Sequence, residues 1–158
     1  MNVQLVKKIV QKKKFDRLEE VMVIPNGFTN LLDFDSVRGN QEERILLITE
    51  SDEKLYEKLA LMPETLEVGN AKIVHGHQWK WGGKPWRLIQ AESVGSPVFF
   101  GHSHTSCLIE DNSKKNIEFG IPYYLNNNIL VNVGAVVIDR EWVLYDSEKN
   151  TATFMKVI

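Results

Sequence analysis

A layered α/β fold is predicted for this chain from three observations. Helix-like and strand-like segments mix in the first half, and the second half is almost all strand. All four histidines of the chain, His75, His77, His102 and His104, fall between residues 71 and 107. Each pair follows a short apolar run, Ala71–Val74 or Val98–Phe100, of the length and composition of a buried strand. The chain has 158 residues, enough for one domain spanning 1–158 with a real core.

The elements follow in order. Val3, Leu5, Val6, Ile9 and Val10 form an apolar stripe with lysines opposite, which predicts a helix over Val3–Gln11. Leu18–Ile24 contains the short strand Val21–Ile24, stopped by the turn Pro25-Asn26-Gly27. Phe34–Val37 is a second strand candidate, and Gln41–Thr49 fits helix or strand. Asp52–Leu61 is predicted helical, with Leu55, Leu59 and Met62 near one face and Pro63 as its stop. Thr65–Val68 and Lys72–Val74 flank Gly69-Asn70, a hairpin signal. Pro85–Ser93 starts with a proline suited to a first helical turn.

Val98–Phe100 is a strand. Ser106–Glu110 and Asn116–Phe119 flank the polar stretch Asp111–Lys115, so a hairpin is expected there. Ile129–Val131 and Val136–Ile138 are strand candidates on either side of Asn132-Val133-Gly134. Trp142–Tyr145 and Thr151–Val157 form a closing hairpin around Asp146–Asn150. No internal repeat, low-complexity tract or linker interrupts this order.

Composition removes several classes of function. Apolar residues are 43% and charged residues 25%, close to a globular average and unlike a disordered chain. The formal net charge of −2 gives no basic excess for nucleic-acid phosphates. The run Lys12–Lys14 is short and reads as a solvated helix end. One cysteine, Cys107, cannot form an internal disulfide, which fits a reducing cytoplasm. No apolar stretch reaches the roughly 18 residues of a membrane span, and no signal-peptide core follows Lys7 and Lys8.

The histidines carry the chemistry. Strands deliver side chains at their carboxyl ends, where the backbone turns and sites usually sit. Neutral imidazole is the commonest protein ligand for transition metals, and clustered histidines mark metal sites. Two strand-end pairs on parallel neighbours would converge on one site.

Gly39-Asn40-Gln41-Glu42, His75-Gly76-His77, Gly101-His102-Ser103-His104 and Asn132-Val133-Gly134-Ala135 stand in an order and spacing that resembles the calcineurin-like metallophosphoesterases. The resemblance covers nearly the whole chain. It is closest to the small branch that contains bacterial and archaeal phosphodiesterases and the scaffold subunit of the retromer sorting complex. It implies two β-sheets packed as a sandwich with flanking helices, and a two-metal centre where loops leave the strands. It implies Asn40, His75 and His102 as ligands of one metal and His104 as a ligand of the other. His75, His102 and His104 would be the catalytic set, with His77 orienting them from outside. The implied cofactor is one or two divalent transition ions (Mn, Ni, Fe or Zn), since imidazole suits these metals. Two such ions clamp a phosphoryl group and activate water.

The sequence also departs from that family. Its Asp-x-His motif occurs nowhere in the chain, so the second metal keeps only His104. The first strand is expected to be missing, and the position of the family's Gly-Asp falls at Pro25-Asn26, or before Met1 in another alignment. Gln41 stands where many members carry a histidine. Asn132–Ala135 reads as a tight structural turn. Trp79, Trp81 and Trp86 follow the first histidine pair; they suit base stacking, a hydrophobic cap or a subunit contact. The function implied is phosphoester hydrolysis of a small-molecule substrate, impaired by the lost ligands. The alternative is a non-catalytic scaffold or binding protein on the same fold. A sheet edge left open by the absent strand favours a homo-oligomer or a swapped element.

Overall fold

The computed structural model describes residues 33–47, 49, 54–78 and 95–157. The predicted helices Val3–Gln11 and Pro85–Ser93, the strand Val21–Ile24 with its turn, and the three tryptophans from Trp79 to Trp86 lie outside the described residues. The chain divides into two compact units, Met1–Glu64 and Thr65–Ile158.

The described part of the first unit holds two helices, α1 (Asn40–Leu46) and α2 (Lys54–Leu61). The Glu42 carboxylate accepts from the Gly39 N–H at 2.9 Å, and Glu42 and Glu43 place negative charge in the first turn of α1. Within the ambiguous stretch Gln41–Thr49, the residues through Leu46 are therefore helix. Leu55 and Leu59, one turn apart on α2, are buried with Ile45, Leu46 and Met62 packed on them. The expected strand Phe34–Val37 does not form. Phe34 is 65% exposed, and the next backbone donor, Arg38 N–H, goes to Pro63 O at 2.7 Å rather than to a ladder. An apolar pair without a partner strand cannot satisfy its backbone as sheet.

The second unit begins with β1 (Thr65–Val68) and β2 (Ala71–Val74), joined by Gly69-Asn70 in register Val68↔Ala71. Among the described residues, β3 (Val98–Phe100), β4 (Cys107–Glu110), β5 (Ser113–Lys115) and β7 (Leu130–Asn132) join them in a six-stranded sheet ordered β1-β2-β3-β7-β4-β5. β2, β3 and β7 run parallel; the outer pairings are antiparallel. A second sheet contains β6 (Pro122–Tyr124), β8 (Glu141–Asp146) and β9 (Thr151–Lys156) in the order β6-β9-β8.

Three local differences from the sequence reading have physical causes. The hairpin after β4 is tighter than expected. Asp111 and Asn112 both adopt positive φ, 49° and 60°, which makes the two-residue turn that matches strand twist. β5 is therefore Ser113–Lys115, not Asn116–Phe119. Val136–Ile138 is not a strand but part of a short helix, α3 (Val136–Asp139), closed by Asp139 N–H to Ala135 O at 3.0 Å. Its β-branched residues favour strand locally, but Gly134 turns the chain first. Gly134 has φ +77°, and a Cβ there would collide with Ser106 Oγ and reach 3.0 Å from Glu141 Cβ. β6 carried no sequence signal because it is three residues long and starts with proline.

One core joins the two sheets. Ala71, Phe99, Leu108 and Val131 of the first sheet meet Ala152 and Phe154 of the second, with Tyr123, Val143 and Tyr145 packed against them. Tyr145 also donates to Asn70 Oδ1 at 2.7 Å and packs on the Phe99 ring at 4.9 Å, fastening the β1–β2 turn to the second sheet. The opposite face of the first sheet buries Val74, Val98, Phe100, Cys107, Ile109 and Leu130. This is the expected α/β sandwich of two sheets. Phe154 is fully buried at the sheet interface, so Phe154→Ala should cost about 3–5 kcal/mol. Leu61→Ala, at an exposed helix end, should change stability by no more than about 0.5 kcal/mol. Urea unfolding of both variants checks this; equal losses would place Phe154 outside the core.

Candidate functional site

Both histidine pairs leave the same edge of the first sheet. β2 and β3 pair in parallel, with Lys72 opposite Val98, Ile73 opposite Phe99 and Val74 opposite Phe100. The next residue of β2 is His75, and its carbonyl accepts the Gly101 N–H at 3.2 Å. The ladder thus continues one step past the strands and holds His75 beside Gly101-His102. Gly76 then reverses the chain. Its φ is +95°, and a Cβ there would press on the Phe100 ring at 3.4 Å. Gly76 N–H donates to Gln78 Oε1 at 3.2 Å, which tightens the turn.

His102 occupies an unusual backbone position. Its φ is 64°, and Ser103 N–H donates across it to Gly101 O at 2.8 Å. A hydrogen bond spanning one residue at positive φ is the rare, strained form of γ-turn. His104 is also left-handed, with φ 59°. Left-handed non-glycine residues cost on the order of 1 kcal/mol each and persist where surrounding contacts hold them. Here β7 does so. Val133 N–H donates to Phe100 O at 2.9 Å, and the buried Asn132 side chain donates to Ser103 Oγ. Asn132 is part of the Asn-Val-Gly-Ala motif, so that turn ties the second histidine pair to the neighbouring parallel strand.

The result is a cluster of three imidazoles. His75 Nδ1 and His77 Nδ1 are 3.1 Å apart, one donating and the other accepting according to tautomer. Ring centroids are 5.0 Å apart for His75–His77, 5.2 Å for His75–His102 and 6.4 Å for His77–His102. Burial pushes the His102 pKa down to about 4, helped by repulsion from His75 and the other imidazoles. At neutral pH its ring is uncharged, with a nitrogen lone pair to offer.

Two nitrogens bound to one ion at about 2.1 Å would stand about 3.0–3.4 Å apart. The His75–His77 separation has that value. Among the described residues, no three His, Cys, Asp or Glu side chains are placed to hold a metal ion. What the cluster offers an ion is a pair of nitrogens, with the neutral ring of His102 beside them.

The other expected site residues are Asn40 and His104. Asn40 is buried at the start of α1 in the first unit. His104 is exposed and lines an open cleft of about 310 Å³ with Thr105, Ser106, Ile117, Phe119, Asp139 and Glu141. In that cleft Lys156 Nζ binds Glu141 Oε1 at 2.8 Å and holds the carboxyl below its usual range, against the opposing effect of burial. Ser106 Oγ is buried without a fully formed hydrogen bond, yet stands near enough to assist that shift. Sequence reasoning set His77 outside the ligands. The structure brings it to His75, and the glycine between the two is the signal for that return. Glu141 and Asp139 had no signal, because they reach the cleft only through α3.

No protein-family model and no curated protein sequence matches the chain. Solved structures do match. A metallophosphoesterase from Sphaerobacter thermophilus superposes with TM-score 0.54 at 17% identity, over 66% of this chain and 52% of that one. The chain thus spans about half the length of that structure. A single mutant of Vps29 from Entamoeba histolytica aligns over 85% of this chain and 89% of its own at 14% identity. Its TM-score, 0.32, is too low to carry weight. At such identities the likeness is one of fold: the chain shares the metallophosphoesterase fold.

The depressed pKa of His102 makes a titration prediction. The folded ring binds its proton near pH 4, the unfolded one near 6.5. Between these values the unfolded state holds more protons, so stability falls as pH drops from 6.5 toward 4 and levels off below. NMR titration of the metal-free protein should place the His102 midpoint near 4. A midpoint at the ordinary histidine value would mean a solvated ring away from its neighbours.

Proposed function

From the metallophosphoesterase fold and the imidazole cluster, we propose that the chain is a metal-dependent phosphoesterase that hydrolyses a small-molecule phosphodiester with water. The observation that carries the reading is the pair of imidazole nitrogens 3.1 Å apart just after β2, with the His102 ring adjacent at the end of the parallel neighbour β3. His75 and His77 would offer the ion a pair of nitrogens, with the His102 ring beside them, and His104 is the remaining candidate ligand of this unit. When bound, Mn, Ni, Fe or Zn supplies Lewis acidity toward a phosphoryl oxygen and lowers the pKa of the water it carries.

The chain's own groups do the rest. The neutral His102 needs no deprotonation before it can ligate, so binding costs no proton release there. Its strained turn fixes the ring direction before substrate arrives, which removes reorganisation from the reaction. The cleft beside His104 suits one substituent of a diester: Ile117 and Phe119 give it apolar walls, and Lys156 neutralises Glu141, so that carboxylate repels the phosphate less. We assign one ion to the nitrogen pair of His75 and His77. The lone buried thiol of Cys107 is compatible with a reducing, cytoplasmic setting.

Plasma-emission analysis should find about one transition ion per chain after loading, and manganese or nickel should support slow hydrolysis of bis-p-nitrophenyl phosphate. His75→Ala and His102→Ala should each weaken metal binding by about 100-fold or more, since even partners outside the ligand shell are worth 10–100-fold. Tight binding of an ion without hydrolysis would favour the non-catalytic alternative on the same fold. No retained ion and no rate would overturn the proposal.

A further inference from the structure

The second sheet ends in a strand that the described residues leave uncovered. β8 lies at its edge, in the order β6-β9-β8. Val157 N–H donates to Arg140 O at 3.1 Å, so Arg140 and Val157 form a hydrogen-bonded pair. The alternation of an antiparallel ladder then makes Trp142/Met155 and Leu144/Thr153 the next such pairs. Glu141, Val143 and Tyr145 consequently point their backbone N–H and C=O away from β9. Glu141 N–H finds Ala135 O at 3.5 Å, which agrees. Val143 and Tyr145 present donor and acceptor outward along the edge.

The other described edges are blunted in ways that natural sheets use against association. β6 has only three residues and begins with Pro122. β5 has three exposed residues ending in Lys114 and Lys115. β1 has four residues and carries Glu67. β8 has six residues with neither proline nor lysine, and its outer face presents Trp142 and Leu144 before ending in Asp146. Leu144 is 62% exposed and Trp142 37%, with Tyr124 on the same face at 81%.

We propose that β8 is a homodimer interface, in which two copies pair their β8 edges antiparallel about a two-fold axis through Val143. The edge is self-complementary in that register. Val143 faces the partner's Val143, and each N–H meets the other C=O. Tyr145 N–H meets the carbonyl of the partner's Glu141. On the outer face Trp142 lies across from the partner's Leu144, twice, a cross-strand aromatic–aliphatic contact. At each end Arg140 lies across from the partner's Asp146, a carboxylate that Lys149 of its own chain already pairs at 3.0 Å, and adds a second opposite charge to it. No like charges oppose one another, and the two three-stranded sheets become one of six strands. This self-matching of shape, hydrogen bonding and charge is what a two-fold interface requires of one surface patch, and it selects a second copy over an unrelated strand.

Sedimentation velocity over a concentration series tests it, using the full chain. The wild type should show a reversible monomer–dimer equilibrium. Val143→Pro removes an outward N–H that the chain itself does not use, and proline is tolerated at such edge positions. It should weaken the dimer at least about tenfold, on the loss of two intermolecular hydrogen bonds, with an unchanged circular dichroism spectrum. Arg140→Asp keeps a residue that accepts the left-handed φ of 55°. It should weaken the dimer by about tenfold at low salt, and less at high salt. If Val143→Pro misfolds, Arg140→Asp decides alone. A wild type that stays monomeric at every concentration, or a dimer that Arg140→Asp leaves unchanged, overturns the proposal.

Discussion

Everything at the candidate site depends on the parallel pairing of β2 with β3. Parallel strands end at the same edge of a sheet, so residues that follow them arrive together. The register Val74↔Phe100 puts His75 level with Gly101 and therefore beside His102. A slip by one residue would turn every side chain of the strand to the other face. Val74, Val98 and Phe100 are buried on one face while Phe99 and Ala71 are buried on the other, so such a slip would expose both cores. The same hydrophobic pattern that stabilises the sheet therefore sets the imidazole spacing.

Packing alone would not aim the histidines. That depends on backbone held in rarely populated conformations: Gly76 at φ +95°, His102 at φ 64° and His104 at φ 59°. The constraint comes from β7. It lies next to β3, and its Asn132 side chain and the following Val133 N–H grip the loop from Phe100 to Ser103. The two sheets in turn hold β7 through Val131, which is fully buried at their junction. Strain at the site is thus sustained by core packing below it, a common arrangement for preorganised sites.

Much of this was legible in the sequence where local chemistry and tertiary context agree. The strands Ala71–Val74 and Val98–Phe100 stood out because short apolar runs are bounded by turn residues. The hairpin at Gly69-Asn70 and the closing hairpin around Asp146–Asn150 did so as well. Their parallel adjacency was expected and is seen. Context overrode propensity at Val136–Ile138, where three β-branched residues are drawn into a helix by the turn at Gly134. Phe34–Val37 has strand composition but no strand to pair with among the described residues. The return of His77 to His75 depends on the positive φ of Gly76, which the glycine in the sequence permits but does not dictate. Asp139 and Glu141 join His104 only after α3 has formed, so no linear motif announces them.

The most direct test of the account is a zinc titration of the full chain followed through imidazole ¹⁵N shifts. If the β2–β3 register builds one metal-binding face, the nitrogens of His75, His77 and His102 should move together and saturate at one common stoichiometry. Independent responses of these rings, or a response at His104 alone, would contradict it.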